Sequence, residues 1–355
     1  MELNRGERLA AVVISRNEER WIEKCVRSVL AAVAAFPGAE VVLVDSCSSD
    51  RTVERARRFP IRLIELRPDA PLSPALGRVV GQSLTRSRYI LFVDGDTEID
   101  ATWVRAAVNY LEQHPRIAGV GGKLAEVYYD GGRVVGSTAD LFGAGEQPEE
   151  VDELGGNAVY RRGALEEVGS FNPFIVSYEE SELTERLRYA GQPVVRLPIV
   201  LGTHHTGPRG SLEELSRRYR DNLIRGYGQT LRLAIRQGTF YAHARRMKRY
   251  LQFQAAVATG LLALALGLFS SDWRAAAAWT AGAAGAVILF VVRSRSLRKP
   301  FWMIADWTVW TGPMVRGFLE RPRDPRRLEL SALVARTHDL PPHVAIRSGA
   351  AARGA

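Results

Sequence analysis

The chain has 355 residues, with 48 Lys and Arg against 39 Asp and Glu, and therefore a formal net charge of +9. This length exceeds that of the usual single domain and predicts two structural regions. Cys25 and Cys47 are too few for a disulfide framework and lack metal-site spacing. They argue against a disulfide-rich secreted protein and indicate a reducing compartment.

The charge is unevenly distributed along the chain. Residues 1–204 hold 24 Lys and Arg against 30 Asp and Glu, a net charge of −6, whereas residues 205–355 hold 24 against 9, a net charge of +15. The basic residues flank apolar stretches, and no nucleic-acid recognition motif accompanies them. We therefore expect binding to anionic membrane lipids, with nucleic-acid binding as the least favoured alternative.

Strand-like and helix-like segments alternate over the first 200 residues, which predicts a mainly parallel sheet flanked by helices. The predicted strands are 10–14, 41–44, 61–66, 89–93 and 194–197. The predicted helices are 19–35, 53–58, 76–87, 101–114, 163–168 and 179–190. The polar, glycine-rich stretch 130–157 is expected to be a loop.

Two apolar stretches without ionised side chains, Leu251–Phe269 and Ala275–Val292, are each long enough to cross a bilayer. Lys and Arg flank both outer ends, which places those ends in the cytoplasm and predicts a transmembrane hairpin. A buried helical hairpin of a soluble domain is the alternative. The preceding segment 211–249 mixes basic and apolar residues as an interfacial helix does.

The remaining C-terminal residues complete the predicted domain organisation. Segment 301–318 is apolar but contains Asp306, Pro313 and Arg316 among its tryptophans, so it is expected to lie in the interface. From about Pro341 the chain is expected to be disordered. The predicted regions are a catalytic domain over 1–210, a basic segment over 211–250, a membrane region over 251–320 and a basic, partly disordered cytosolic tail over 321–355.

Asp94-Gly95-Asp96 ends the apolar run that begins at Tyr89. Open α/β sheets bind ligands at the carboxyl ends of their strands, and carboxylates there suit a hard divalent cation that bridges phosphates. An exposed Asp-Gly-Asp turn is the alternative when these three residues are taken alone.

Further polar features follow the predicted strands or begin the predicted helices. They are Ser15-Arg16-Asn17-Glu18, Asp45, Arg78, Gly155-Gly156-Asn157, Glu179-Glu180-Ser181-Glu182 and His204-His205. A charged helix surface, with Glu182 paired to Arg186, is the alternative for the glutamates. A polar loop pair is the alternative for the histidines.

The order of these motifs resembles the family-2 glycosyltransferases over roughly residues 9–225. The resemblance implies a GT-A fold, a Rossmann-like mixed sheet flanked by helices, and inversion at the anomeric carbon. It implies nucleotide-sugar binding by seven residues: Ser15, Asn17, Glu18, Asp45, Arg78, Asp94 and Gly95. It also implies a Mg²⁺ or Mn²⁺ site formed from Asp94, Asp96 and His204 or His205, and a catalytic base at Glu180 beside Glu179 and Glu182.

Three departures qualify the resemblance. Glu180 stands where the family usually has aspartate, so the carboxylate reaches about one methylene further. The usual Ala-Arg-Asn appears as Gly77-Arg78-Val79, without the asparagine. The Gln-x-x-Arg-Trp motif of processive synthases is not found, which argues against a polymer-extruding enzyme.

The resemblance and the apolar stretches together predict a membrane-bound glycosyltransferase, with its catalytic domain on the cytosolic side of a bacterial inner membrane. Its donor would be a nucleotide diphosphate-sugar and its acceptor a lipid-linked molecule of surface polysaccharide or glycolipid synthesis. The alternatives are a polyprenyl-phosphate sugar synthase and a non-catalytic membrane component of a polysaccharide assembly complex. The sequence leaves the oligomeric state open.

Overall fold

The computed structural model describes residues 8–208 and 212–338. The expectation of disorder beyond Pro341 lies outside the described residues. The described residues divide into two compact units, the first formed by residues 8–208 together with 323–338, and the second by residues 212–322.

The described strands of the first unit form one mixed sheet. The strands are β1 (Leu9–Ser15), β2 (Glu40–Asp45), β3 (Arg62–Leu66), β4 (Tyr89–Asp94), β5 (Thr97–Ile99), β6 (Gly119–Asp130), β7 (Arg133–Thr138), β8 (Glu149–Val151), β9 (Ala158–Arg161), β10 (Val194–Thr206) and β11 (Val334–His338). Their order is β11-β3-β2-β1-β4-β9-β6-β10-β5, with β7 paired to β6 and β8 to β10. Strands β3, β2, β1 and β4 are mutually parallel, as are β6 and β10.

Helices cover both faces of this sheet. In the first unit they are α1 (Ile22–Val33), α2 (Thr52–Ala56), α3 (Pro74–Ser83), α4 (Ala101–Gln113), α5 (Arg162–Val168) and α6 (Glu179–Tyr189). Val13 of β1 belongs to a core formed with α1 and α4, whereas Val12 belongs to one formed with α3, α5 and α6. Because successive side chains of a strand point to opposite faces, one apolar strand supplies both cores.

The second unit is helical. It contains α7 (Leu212–Arg220), α8 (Arg225–Gln237), α9 (Phe240–Arg246), α10 (Lys248–Ser270), α11 (Arg274–Ser294) and α12 (Arg298–Leu319). Of these, α10 and α11 are long and apolar enough to cross a membrane, and they contain the two predicted spans. Of the most apolar 18-residue stretch, 11% is buried in α10 and 0% in α11. Their side chains therefore do not form the core of a soluble domain.

The structure differs from the sequence prediction in several segments. The stretch 130–157 contains β7 and β8 in addition to loops, because Gly131 and Gly132 adopt positive φ angles and turn β6 back into a hairpin. The basic segment is divided into three helices. Residues 301–318 form the greater part of the continuous helix α12.

Residues 334–338, placed in the predicted tail, form an edge strand of the sheet. Strand β11 pairs antiparallel with β3, and the Arg67 N–H donates to the Leu333 carbonyl at 2.8 Å. Leu328, Leu330 and Leu333 pack against the buried cluster around Val44 and Ile64. The chain therefore returns to its first unit after the helical segment.

Gly81 allows α3 to approach β1 closely. A Cβ atom at this position would lie 2.2 Å from Val12 Cγ1. We expect Gly81→Ala to lower the free energy of unfolding by about 1–3 kcal/mol, because the core must shift to admit the methyl group. The measurement is urea denaturation of the detergent-solubilised protein followed by tryptophan fluorescence. Gly163→Ala is the control, since a Cβ there meets no atom within 4 Å; equal effects of the two substitutions would contradict the prediction.

Candidate active site

The carboxyl ends of three adjacent parallel strands, β2, β1 and β4, lie side by side. In the strand register Ser15 lies beside Asp45, and Ile14 lies beside Asp94. The Ser46 N–H donates to the Ser15 carbonyl at 2.9 Å, and the Gly95 N–H donates to the Ile14 carbonyl at 2.8 Å. The polar residues that follow these strands therefore lie close together, at the carboxyl ends of the strands.

Asp45 is a buried, hydrogen-bonded carboxylate at the end of β2. Its Oδ1 accepts from the Ser48 N–H at 2.8 Å, and its Oδ2 accepts from the hydroxyls of Ser48 and Ser15. Burial raises the pKa of Asp45, and these hydrogen bonds offset part of the rise. The carboxylate is held in one orientation at the place predicted for nucleotide binding.

The loop after β1 is tied to the loop after β2. The Asn17 N–H donates to Ser48 Oγ at 2.8 Å, and the Asn17 side-chain oxygen accepts from the Ser49 N–H at 2.8 Å. The Glu18 N–H donates to Thr52 Oγ1 at 2.7 Å. Asn17 adopts a left-handed φ of 59°, a conformation that asparagine tolerates better than most residues. Contact of Asn17 with a nucleotide stays a prediction.

Asp94, at the end of β4, is held from two sides. Its Oδ1 accepts from Arg78 Nη2 at 2.9 Å, and its N–H donates to Asn157 Oδ1 at 2.9 Å. Burial raises the pKa of Asp94, and the Arg78 guanidinium opposes that rise. Gly156 lies so close that a Cβ there would be 2.1 Å from Asp94 Oδ2, so only glycine fits beside this carboxylate.

The guanidinium of Arg78 is 2% exposed and lies among three carboxylates. Besides Asp94, it donates to Glu179 Oε1 at 2.5 Å and lies 3.3 Å from Glu180 Oε1. Arg78 was predicted to bind the nucleotide-sugar, and in this structure its positive charge is shared by these acids. Contact of Arg78 with the nucleotide-sugar stays a prediction.

Glu179 and Glu180 begin helix α6 and differ in exposure. The side chain of Glu179 is 2% exposed and that of Glu180 is 20% exposed, so Glu180 is the one accessible from solvent. Burial, followed by repulsion from Glu179, raises the pKa of Glu180 to about 8. Tyr178, the residue before them, has a left-handed φ of 64°, which turns the chain sharply into the helix.

Glu182 is buried and paired to another residue. Its two carboxylate oxygens accept from Arg186 at 2.8 Å and 2.7 Å. This is the pairing one helical turn apart that the sequence offered as an alternative to a catalytic role. A catalytic role for Glu182 stays a prediction.

Asp96 and His204 are in direct contact. His204 lies on β10, where its Nε2 bonds Asp96 Oδ2 at 3.0 Å and its Nδ1 bonds Glu126 Oε1 at 2.9 Å. Burial by itself lowers the pKa of His204, but hydrogen bonds to the two carboxylates outweigh burial and raise the pKa to about 10. The imidazole is therefore a cation between two acids.

His205, the next residue of β10, has different neighbours. Its ring bonds Glu98 Oε1 at 2.7 Å and the Tyr129 hydroxyl at 3.1 Å, and it stacks on Trp21 with ring centroids 4.2 Å apart. Its N–H donates to the Asp96 carbonyl at 2.9 Å. Of the two histidines predicted as metal ligands, His204 is the one whose ring contacts Asp96.

The carboxylate oxygens and imidazole nitrogen of Asp94, Asp96 and His204 are of the kinds that ligate a divalent cation. The described residues contain no preformed group of three or more His, Cys, Asp or Glu arranged around a metal position. Asp96 Oδ1 is nevertheless buried without a hydrogen-bond partner in the described part of the chain. Burial and repulsion from Asp96 and Asp94 raise the pKa of Glu18 to about 9. A carboxylate oxygen without a partner in a locally anionic site suits Mg²⁺ or Mn²⁺.

Sequence reasoning did not assign three residues that contact this site. Gly156 and Asn157 were noted among the polar features without an assigned role, although both lie against Asp94. Glu126 was not noted. Its contact with His204 depends on strand register between residues 78 positions apart, which no local pattern reveals.

The mixed α/β sheet flanked by helices, with acidic residues at the carboxyl ends of its parallel strands, is a GT-A-type fold. Residues 10–169 match the family model Glycosyl transferase family 2. The chain therefore carries a family 2 glycosyltransferase domain, as its motif order predicted. The predicted fold class is confirmed as well.

Two relatives are similar over parts of the chain. Glycosyltransferase AglE of Haloferax volcanii is 25% identical over 211 residues, which cover 58% of this chain and 69% of AglE. Poly(ribitol-phosphate) β-N-acetylglucosaminyltransferase TarS of Staphylococcus aureus is 27% identical over 115 residues, which cover 30% of this chain and only 19% of TarS.

One similar solved structure is the mannosyltransferase PcManGT of Pyrobaculum calidifontis in complex with GDP-Man and Mn²⁺. It superimposes with a TM-score of 0.56 over 89% of this chain and 88% of PcManGT, at 19% identity. This likeness shows the fold.

Removing the buried guanidinium should destabilise the protein. We expect Arg78→Met to lower the free energy of unfolding by about 3–5 kcal/mol, because Glu179 and Asp94 lose their cationic partner inside the protein. Arg188→Met is the matched control, since Arg188 pairs with Asp152 where the two side chains are 43% and 45% exposed. The control substitution should lower the free energy of unfolding by less than about 1 kcal/mol. Urea denaturation at pH 8 measures both, and equal losses would contradict the prediction.

Proposed function

We propose that the protein is a membrane-bound, inverting, metal-dependent glycosyltransferase. It moves a sugar from a nucleotide diphosphate-sugar to a lipid-linked acceptor during bacterial surface polysaccharide or glycolipid synthesis. The family 2 domain supports sugar transfer. PcManGT, which shares the fold, is bound to GDP-Man and Mn²⁺, the class of donor and cation proposed here.

The observation that carries the proposal is the contact of Arg78 with Asp94 on one side and with Glu179 and Glu180 on the other. Asp94 belongs to the motif expected beside the diphosphate, and Glu180 is the expected base. One guanidinium therefore lies between the group that holds the leaving diphosphate and the group that activates the acceptor.

The chain's residues have separate tasks in this reaction. Asp45 and the loop after β1 bind the nucleoside, and Asp94 and Asp96 lie where the diphosphate is expected. Glu180 takes the proton from the acceptor hydroxyl as that oxygen attacks the anomeric carbon from the face opposite the diphosphate. Asp96, Asp94 and His204 would hold the divalent cation, whose positive charge offsets the charge of the departing diphosphate.

The helical unit supports attachment to a membrane. Helices α10 and α11 have the length and apolarity of spans, and the basic residues at their outer ends support a cytoplasmic location of those ends. Basic residues of α7, α8 and α9 would bind anionic lipids of the same leaflet. The catalytic domain would then work on the cytosolic side of the inner membrane.

A polyprenyl-phosphate sugar synthase is the second candidate. The observation that favours it is the raised pKa of Glu180, about 8 from burial and repulsion by Glu179, which leaves this carboxyl largely protonated at neutral pH. A phosphate acceptor is already ionised and needs no base. Loss of the Glu180 carboxylate should therefore matter for a hydroxyl acceptor and not for a phosphate.

Glu180→Gln tests the base directly. We expect kcat for sugar transfer to a hydroxyl acceptor to fall by about 10²–10⁴-fold, because the amide cannot take the proton. Binding of the nucleotide-sugar should be retained. The assay combines a panel of radiolabelled nucleotide-sugars with detergent-solubilised membrane lipids, and isothermal titration calorimetry measures donor binding.

Glu166→Gln is the control for this assay, since the side chain of Glu166 is 59% exposed on α5. Full turnover by Glu180→Gln on a polyprenyl phosphate would favour the synthase. A wild-type protein without turnover on any donor would favour a non-catalytic component. Turnover unchanged by chelator would remove the metal from the proposal.

The pH dependence of transfer should follow Glu180. The base is active when ionised, and its pKa is raised to about 8 by burial and by Glu179. We therefore expect kcat/KM to rise about tenfold per pH unit below that pKa and to level off above it, since kcat/KM reports groups of the free enzyme. Steady-state assays from pH 6 to 10 measure the profile. A profile that is flat across pH 8 would contradict the assignment.

A further inference from the structure

Glu126 is a fully buried carboxylate that has no role in the reaction described above. It lies on β6 with 0% exposure. Its Oε1 accepts from His204 Nδ1 at 2.9 Å, and its Oε2 accepts from the Tyr128 hydroxyl at 2.9 Å. Burying a carboxylate is costly unless it is paired and hydrogen-bonded, and these contacts supply that compensation.

The backbone determines this contact. Strands β6 and β10 are parallel, and Glu126 is the register partner of His204. Residues opposite each other in neighbouring strands share one face of the sheet, so the two side chains meet without a flexible loop between them. Tyr128, two residues along β6, lies on the same face and reaches the second oxygen of Glu126.

The contact between Glu126 and His204 determines which ring nitrogen of His204 faces Asp96. With Nδ1–H donated to Glu126, Nε2 is the nitrogen that reaches Asp96, at 3.0 Å, and its proton is the one that a bound divalent cation would replace. Stacking of His205 on Trp21 holds the next residue of β10. A histidine that ligates a metal commonly donates its other N–H to a carboxylate, which sets the ring's tautomer and orientation.

We propose that Glu126 is a positioning residue whose buried carboxylate holds the His204 ring with Nε2 directed at the divalent cation beside Asp96. The inference rests on the metal site of the proposed function and adds a group that touches neither donor nor cation. It gives the acidic residue on β6 a task that its position away from the strand ends would not suggest.

The experiment measures Mn²⁺ binding to the full-length protein without any nucleotide-sugar, by electron paramagnetic resonance of the free ion. We expect Glu126→Leu to raise the Kd for Mn²⁺ by about 10–100-fold, as loss of such an outer carboxylate does at other sites. Glu126→Gln keeps an acceptor oxygen for the Nδ1–H of His204 and should therefore raise the Kd for Mn²⁺ by a smaller factor. Tyr128→Phe leaves the Glu126–His204 bond in place and should stay close to the wild-type Kd.

A double-mutant cycle separates positioning from general damage to the fold. If Glu126 acts through His204, Glu126→Leu adds no further loss in a His204→Ala background, whereas independent effects would multiply. The inference would be overturned if the two substitutions raised the Kd by factors that multiply in the double variant. It would also be overturned if Glu126→Leu had the wild-type Kd, or if the wild type did not bind Mn²⁺. Failure of the proposed function looks different, because sugar transfer would then be lacking while the Mn²⁺ affinities follow the expected pattern.

Discussion

The buried guanidinium of Arg78 joins parts of the chain that are far apart in sequence. Asp94 ends a central strand, and Glu179 and Glu180 begin a helix about 85 residues later. Without a cation between them these acids would repel one another in a region with little water. The path of the chain after Gly156, the entry into α6 and the end of β4 therefore all depend on one side chain, whose own α3 helix packs closely on β1.

Negative charge exceeds positive charge in the candidate site as a whole. The acids are Glu18, Asp94, Asp96, Glu126, Glu179 and Glu180, and the cations are Arg78 and His204. Burial and mutual repulsion raise the pKa of Glu18 to about 9 and that of Glu180 to about 8, so these two carboxyls are largely protonated at neutral pH in the free protein. Backbone strain accompanies the charge, since Asn17, Cys47 and Tyr178 all have left-handed φ angles next to site residues. A fold tolerates such costs where they serve ligand binding.

The parts predicted from the sequence were those with strong local patterns. The runs ending at Asp45 and Asp94 are apolar on both faces because they are central strands, and the structure has both. Strand β7 was not predicted, because Val134 and Val135 are 62% and 54% exposed and give no one-sided alternation. Strand β11 is held by pairing with a partner some 270 residues earlier, and Glu126 by cross-strand register. Neither arrangement leaves a local pattern.

Strand β11 also limits how the chain can be threaded through a bilayer. It follows the helical unit in the chain, yet it pairs with β3, which precedes that unit. One continuous sheet lies on one side of a membrane, so the number of crossings between residues 208 and 334 has to be even. If α10 and α11 both cross, α12 does not, whatever its length and apolarity. The sheet thus requires an even number of membrane crossings between β10 and β11, a rule that hydropathy alone does not provide.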